Sequence, residues 1–164
     1  MILIAHRGNT NGPNPKIENR PEYIQKALDE GFHVEIDVWL QSDGLFLGHD
    51  RPQYSTELEF LKQDDRIICH AKTVNTFQFL ISNGLHCFFH DKDQATLTSQ
   101  NKIWLYPGVA PCSLGILVMP EWPSIDYGIK NWIEFVVEHR ESCYGVCSDY
   151  VELIKKQILS SRVS

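Results

Sequence analysis

The chain alternates short apolar runs with longer polar stretches. The apolar runs are rich in β-branched and aromatic residues and are only a few residues long, which is typical of strands in a protein core. Turn-forming residues such as glycine, proline, asparagine and aspartate separate many of them. The runs predict strands at Ile2–Ala5, Val34–Leu40, Leu45–Gly48, Arg66–Cys69, His86–Phe89, Ile103–Tyr106, Gly115–Met119 and Gly145–Cys147.

Helical periodicity fills several of the gaps between these strands. The first helix has Asn19 as its expected N-cap, Pro21 in its first turn and Gly31 just after its end. Strands that alternate with helices favour a parallel sheet, because parallel neighbours need a crossover connection between them. The fold class is therefore α/β. The other predicted helices cover Val74–Asn83, Ile129–His139 and Tyr150–Leu159.

The number of strands fits a (β/α) barrel of the TIM type, although an open sheet remains an alternative. Such barrels usually need about 250 residues, and this chain has 164. The shortage is concentrated between Phe88 and Pro120, where three strand-like runs follow one another without a helical pattern. We therefore expect a reduced or incomplete barrel that lacks helices around its later strands, built as a single domain over residues 1–164.

Composition narrows the range of functions. The formal net charge is −6 and no basic block is present, so a nucleic-acid partner is not expected. No apolar run is long enough for a membrane span and no signal peptide is recognisable, which predicts a cytoplasmic protein. Five scattered cysteines favour reduced thiols over a disulfide framework. Cys143 and Cys147 have a spacing at which a shared metal remains an alternative.

Candidate chemistry begins with two carboxylates on the second strand. Side chains alternate along a strand, so Glu35 and Asp37 lie on one face and Ile36 lies on the other. Two neighbouring carboxylates that are buried together need a cation, and a divalent metal would supply it. The alternative is an edge strand whose polar face is solvated.

Basic side chains and imidazoles stand at the ends of other predicted strands. Because the carboxyl ends of parallel strands gather on one rim, we expect all of these groups to face one cavity. Carboxylates, imidazoles and cations in one cavity suit metal-assisted phosphoryl chemistry. The residues are His6 and Arg7, the Glu35–Asp37 pair, His49 after the Asp43–Gly44 turn, and His70 and Lys72 two positions apart.

Four further residues are candidates for the walls of the same pocket. Glu18 precedes the first helix, and His90 follows a predicted strand. Glu121 and Trp122 lie after a later strand, and a tryptophan between two prolines is difficult to bury within a regular element. Aromatic walls with a few polar groups are typical of small-molecule sites.

Four motifs follow one another in the amino-terminal third of the chain: "AHRG" at Ala5–Gly8, "ENRPEYIQKALDEG" at Glu18–Gly31, "VEIDV" at Val34–Val38 and "DGLFLGHD" at Asp43–Asp50. In this order they resemble the signature of the glycerophosphodiester phosphodiesterase family, whose barrel is of the phosphatidylinositol-phospholipase-C-like type. "HAKT" at 70–73 stands where the family has a Glu-x-Lys strand end. "YGVCSDYVELI" at 144–154 is similar to its last strand, which ends in Thr-Asp.

The resemblance implies a role for each matching residue. Position 70 departs from the family, which has a carboxylate there. The expected ion is Mg²⁺ or Ca²⁺, and a histidine ligand makes Mn²⁺ and Zn²⁺ the alternatives, because nitrogen ligands suit these ions better. A further alternative is an ion held weakly by Glu35 and Asp37 alone. The implied roles are catalysis for His6 and His49, phosphate binding for Arg7 and Lys72, and metal binding for Glu35, Asp37 and His70.

The sequence thus predicts a metal-dependent phosphodiesterase acting on a small glycerophosphodiester-like substrate. Attack by water and attack by a neighbouring substrate hydroxyl both remain open. One alternative is a barrel that binds phosphate or metal without turnover, and another is a zinc hydrolase built on the seven histidines. Missing helices would leave apolar strand faces uncovered, so we also expect a homo-oligomer.

Overall fold

The structure is a computed structural model that describes residues 1–122 and 131–161. Strands and helices alternate through these residues. The strands are β1 (Ile2–His6), β2 (His33–Gln41), β3 (Gly44–Leu47), β4 (Tyr54–Thr56), β5 (Ile67–Ala71), β6 (Cys87–Phe88), β7 (Ala95–Leu97), β8 (Ile103–Leu105), β9 (Gly115–Val118) and β10 (Gly145–Ser148). The helices are α1 (Pro21–Asp29), α2 (Leu58–Lys62), α3 (Val74–Ser82), α4 (Trp132–Glu138) and α5 (Val151–Ser160).

Seven of these strands run parallel, in the order β6-β5-β2-β1-β10-β9-β8. The sheet curls into a barrel-like shape. β3 and β4 form an antiparallel extension of β2, and β7 pairs antiparallel with β8. Just after β7, the Ser99 amide donates a 2.8 Å hydrogen bond to the Cys87 carbonyl of β6. Because β7 pairs with β8, this bond connects the two outermost parallel strands, β6 and β8, through the β7 segment. The α/β class and the eight predicted strands are confirmed.

Apolar side chains fill both sides of the curled sheet. Six strands each contribute one buried side chain to an inner cluster, which lies inside the curl of the sheet. Side chains on the outer face of the sheet pack against the helices in two further clusters. In the outer layers, Leu28 of α1 and Leu80 of α3 are almost completely buried. The strands are therefore apolar along most of their length, as parallel strands usually are. The inner cluster consists of Ile4, Ile68, Phe88, Trp104, Ile116 and Cys147.

No helix lies between β6 and β9, as expected, although β7 interrupts the first of the two predicted loops. Residues 89–94, 98–102 and 106–114 contain no helix. Val109 and Cys112 of the last of these loops pack against the cluster that contains Leu105 and so cover the outer side of β8. The predicted helix at Ile129–His139 starts outside the described residues, and its described part is α4. None of the described helices is both long and apolar enough to cross a membrane.

The predicted N-cap of the first helix is wrong. Arg20 occupies that position and makes no side-chain capping bond. Asn19 has a left-handed backbone with φ of 62°, and its side chain bonds to both the amide and the carboxylate of Asp37. A hydrogen bond to a buried carboxylate is stronger than a neutral helix cap, which explains why the side chain turns inward.

Gly48 anchors the loop that follows β3. Its amide donates to the Asp37 carbonyl at 3.1 Å, and its carbonyl accepts from Trp39 Nε1 at 2.6 Å. A Cβ atom at Gly48, where φ is 145°, would overlap the Arg51 carbonyl oxygen and touch the Gln53 side chain. Gly44 is a matched position, because its φ is 139° and a Cβ atom there would meet open space.

We expect Gly48→Ala to lower the free energy of unfolding by roughly 3 kcal/mol, because it combines backbone strain with steric overlap. Gly44→Ala should cost only about 1 kcal/mol, from backbone strain alone. Urea denaturation of both variants measures the difference. Equal losses would show that contacts around Gly48 do not constrain this loop.

Candidate functional site

Polar side chains from several strands meet at the carboxyl end of the sheet. They surround a cavity of about 610 Å³. Its lining combines titratable and charged side chains with aromatic and apolar ones. The charged and titratable residues include His6, Arg7, Glu18, Glu35, His49, Asp50, His70, His90, Asp93 and Asp149. The aromatic and apolar residues include Phe88, Trp104, Tyr106, Val118, Met119 and Trp122.

Backbone strain is concentrated around this cavity. Four residues other than glycine have a left-handed backbone in the described part of the chain, and three of them line the cavity. These three are Arg7, Asn19 and Met119, with φ of 53°, 62° and 46°. Such conformations cost about 1 kcal/mol or more each, and they persist where the surrounding structure enforces them. Their clustering is typical of a functional site.

His6 ends β1, and Asp149 holds its ring. The His6 Nδ1 atom lies 2.8 Å from Asp149 Oδ1, and Nε2 lies 4.0 Å from Glu35 Oε2. Burial lowers the pKa of His6, but the hydrogen bond to Asp149 and the charge of Glu35 offset it, so this pKa lies above its ordinary value. The arrangement keeps a proton on Nδ1 and leaves Nε2 for chemistry. Asp149 was not among the predicted site residues, although the Ser-Asp pair at the end of the last strand was a signal.

Asp37 is surrounded by donors on both oxygens. Its Oδ1 accepts a 3.0 Å hydrogen bond from Lys72 Nζ and lies 3.0 Å from His70 Nδ1. Its Oδ2 accepts from Asn19 Nδ2 at 3.0 Å and lies 3.1 Å from Arg7 Nε. Burial alone would raise the pKa of Asp37, but the bond with His70 and the nearby positive charges hold it well below its ordinary value. Asp37 is therefore an ionised anchor for the cations around it.

Glu35 lies beside Asp37 and is almost as deeply buried, but it is much less neutralised. Its Oε2 accepts a 3.3 Å hydrogen bond from the Arg7 amide, and its Oε1 lies 3.7 Å from His70 Nδ1. Burial and the charge of Asp37 raise the pKa of Glu35 to about 7. A buried carboxylate with so little compensation has capacity for a further cation.

His70 lies against two other rings, which also stack on each other with a centroid distance of 5.9 Å. It stacks on Phe88 and on His90, each with a centroid distance of 4.8 Å and nearly parallel planes. Burial lowers the pKa of His70 to about 4, so the imidazole is neutral at physiological pH. A neutral imidazole is the form that ligates metal ions.

The three predicted metal ligands lie close enough together to hold one ion. Ligand atoms of Glu35, Asp37 and His70 all fall within 4.8 Å of one another. Few donors neutralise the charge of the Glu35 carboxylate, which favours a bound cation. The neutral imidazole of His70 is suited to bind that cation through nitrogen. The residues present therefore fit a divalent metal ion, with Glu35 as the ligand that has most free acceptor capacity.

Carboxylates also outnumber lysine and arginine side chains at this end of the sheet. The basic side chains are Arg7 and Lys72. The carboxylates in contact with them or with His6 and His70 are Glu18, Glu35, Asp37 and Asp149, and Asp50 and Asp93 line the same cavity. This excess of carboxylates favours a bound cation.

The buried side-chain amide of Asn9 connects Arg7, the candidate for phosphate binding, to His6. Arg7 Nη1 donates to Glu18 Oε2 at 3.2 Å. The Asn9 Nδ2 atom donates to Glu18 Oε1 at 3.0 Å and to Asp149 Oδ1 at 2.9 Å. Asn9 is completely buried and thus ties the Arg7–Glu18 pair to the His6–Asp149 pair. No local pattern indicates this role of Asn9, because its contact with Asp149 joins residues 140 positions apart.

His49 lies at the rim of the cavity, and its electrostatic environment shifts its pKa in the opposite direction to that of His6. Its side chain is 44% exposed, and Nδ1 lies 2.6 Å from Asp50 Oδ1. Partial burial and the positive charge of Arg7 lower its pKa. His49 is therefore mainly neutral at physiological pH, whereas His6 binds a proton more strongly.

Aromatic side chains form the remaining wall. Trp104 is 5% exposed and stacks on Phe88 with a centroid distance of 4.3 Å, so it belongs to the core and also lines the cavity. Tyr106 and Trp122 are 45% and 41% exposed at the rim. This wall offers contact area for the organic part of a ligand.

The predicted site residues gather at one end of the sheet, but not all of them line the cavity. Asp37 and Lys72 form an ion pair with each other behind its surface. Glu121 also lies outside the lining, where it contacts the turn that carries Asp149. The predicted residues that line the cavity are His6, Arg7, Glu18, Glu35, His49, His70, His90 and Trp122.

Glu35 makes the stability of the metal-free protein depend on pH. Its pKa of about 7 exceeds the ordinary 4.5, so the folded chain binds more protons than the unfolded chain between these values. The free energy of unfolding therefore falls as pH rises through this range. Relative to wild type, Glu35→Gln should gain up to about 3 kcal/mol between about pH 5 and pH 8. Urea denaturation with a chelator measures this, and parallel pH curves for both proteins would contradict it.

The sequence was also compared with those of known proteins. No family profile matches the chain, and no match was found among curated proteins. A functional proposal therefore rests on the residues of this chain.

Proposed function

We propose that this protein is a metal-dependent phosphodiesterase that cleaves a glycerophosphodiester-like substrate. The observation that carries the proposal is the pair of histidines in one cavity with opposite electrostatic environments. Asp149 favours the protonated form of His6, whereas burial and Arg7 favour the neutral form of His49. Two titratable groups whose pKa values are pushed apart are suited to act as acid and base.

The cationic side chains suit the phosphate group of such a substrate. Arg7 lines the cavity, and Glu18 and Asp37 fix its guanidinium from two sides. An arginine held in this way presents planar donors to non-bridging phosphate oxygens. Lys72 lies behind it on Asp37 and adds a positive charge that stabilises the transition state.

The two histidines divide the proton transfers between them. Neutral His49 takes a proton from the nucleophile, which is either water or a neighbouring hydroxyl of the substrate. His6 donates the proton of its Nε2 atom to the departing alkoxide, while Nδ1 stays bonded to Asp149. Asp149 holds the ring in one orientation and stabilises the imidazolium before transfer.

Two carboxylates and one imidazole of the site would hold the metal ion. A divalent ion bound by Glu35, Asp37 and His70 supplies charge stabilisation for the phosphoryl group. Glu35 contributes the least compensated oxygens, and the stack with Phe88 and His90 keeps His70 in place. The curled sheet with its site at the carboxyl end also suits our proposal of a reduced TIM-type barrel related to the glycerophosphodiester phosphodiesterases.

Metal-stripped protein should gain phosphodiesterase activity when a divalent ion is returned. The assay uses bis(p-nitrophenyl) phosphate and glycerophosphodiesters, with Mg²⁺, Ca²⁺, Mn²⁺ and Zn²⁺ added singly. His6→Ala and His49→Ala should each lower kcat/KM by about 10²- to 10⁴-fold, the contribution of a general acid or base. His139→Gln is the matched control, because His139 caps α4 away from the cavity. Folded protein that is inactive with every ion and substrate would favour a non-catalytic phosphate- or metal-binding barrel.

Activity should depend on pH through both histidines. The rate rises as His49 loses its proton and falls as His6 loses its proton, which gives a bell-shaped profile. Asp149→Asn removes the charge that raises the pKa of His6, so its alkaline limb should move to lower pH while the acid limb stays in place. The kcat/KM at the optimum should fall by about 10- to 100-fold, the cost of a hydrogen bond to a charged group. An alkaline limb that does not move would contradict the role of His6 as acid.

A further inference from the structure

Glu121 contacts the turn between β10 and α5 from outside the cavity. Its Oε1 atom accepts a 2.7 Å hydrogen bond from the Asp149 amide and a 2.8 Å hydrogen bond from Ser148 Oγ. Ser148 Oγ in turn accepts from the Tyr150 amide at 3.0 Å. Three consecutive residues of this turn are thus fixed, directly or through one hydroxyl, by a carboxylate that lies 28 positions before Asp149.

We propose that Glu121 is a positioning residue that orients Asp149 towards His6. The inference rests on the proposed function, because it assigns Glu121 to the same acid–base pair. Asp149 is held at two points. Glu121 accepts from its amide, while Asn9 and His6 contact its carboxylate. The hydrogen bond to the amide fixes the backbone of Asp149, and the other two contacts fix the position of its carboxylate.

The position of Glu121 favours a positioning role over direct contact with a ligand. It does not line the cavity, whereas its neighbour Trp122 and its partner Asp149 do. Its second carboxylate oxygen is buried and has no hydrogen-bond partner among the described residues. All of its hydrogen bonds to other residues in that part of the chain therefore come through Oε1, and both lead to the turn.

Removing the carboxylate leaves two donors of the turn without their acceptor. The Asp149 amide and the Ser148 hydroxyl then need new partners in a largely buried place, so the turn rearranges. A shift of Asp149 lengthens its 2.8 Å contact with His6 Nδ1, and the ring loses the group that fixes its tautomer. A residue that only stabilised the fold would lower the melting temperature without changing this tautomer.

The test compares Glu121→Ala, Glu121→Gln, Asp149→Asn and the double variant Glu121→Ala/Asp149→Asn in the 164-residue chain with Mg²⁺. Long-range ¹H–¹⁵N spectra of labelled histidine give the tautomer of His6. Turnover of bis(p-nitrophenyl) phosphate gives kcat and KM separately. Thermal melts establish that each variant is folded, and Ser148→Ala serves as a milder change of the same hydrogen-bond set.

We expect wild type and Glu121→Gln to keep the Nδ1–H tautomer, because glutamine retains an acceptor oxygen. Glu121→Ala should give a mixture of tautomers and lower kcat by at least about tenfold, with little change in KM. Ser148→Ala should show the same shift to a smaller extent. In the Asp149→Asn background, Glu121→Ala should cause no further loss of kcat, because the partner that it positions is already disabled.

Folded Glu121→Ala protein with the wild-type tautomer and kcat would overturn the inference. So would losses that multiply in the double variant, since these would show that Glu121 acts independently of Asp149. The spectra need no turnover. A tautomer shift in a protein without phosphodiesterase activity would therefore support the positioning role while contradicting the proposed function.

Discussion

The burial of two carboxylates at the end of one strand is the constraint on which the site depends. Glu35 and Asp37 lie on the inner face of β2 and are almost completely hidden from solvent. Charges in such a place are tolerated only with cations and hydrogen-bond donors around them. Asp37 receives these from four side chains, whereas Glu35 receives few. The unequal compensation makes Asp37 the anchor of the surrounding donors and leaves Glu35 as the carboxylate with most free acceptor capacity for a ligand.

The surrounding scaffold strengthens this electrostatic arrangement. The inner cluster that contains Phe88 and Trp104 lies directly below the polar groups and excludes water from beneath them. Interactions between charges are stronger in such surroundings than in water. Hydrogen bonds at the strand ends add rigidity. The Arg7 amide donates to the Glu35 carbonyl, and the Lys72 amide donates to the Val38 carbonyl. Functional side chains thus stand on backbone that is already fixed by the sheet.

The sequence predicted those parts of the site that follow from local rules. The two-residue repeat of a strand placed Glu35 with Asp37 and His70 with Lys72, and the ends of parallel strands placed His6 near them. Asp149 and Asn9 were not recognised, since their contact joins residues 140 positions apart and exists only once β10 lies beside β1. The inward turn of Asn19 was also missed, because an asparagine before a helix matches the N-cap pattern equally well.

The most direct test of this account is calorimetric titration of the metal-free protein with Mg²⁺ and Mn²⁺. The titration is made near pH 6.5, in two buffers of different ionisation enthalpy. Binding to a defined site should be saturable. Because the pKa of Glu35 is about 7 before the metal binds, binding should also release protons. Glu35→Gln should abolish most of that release. Absence of binding by the folded protein, or binding without proton release, would contradict the claim that the uncompensated charge of Glu35 organises a cation site.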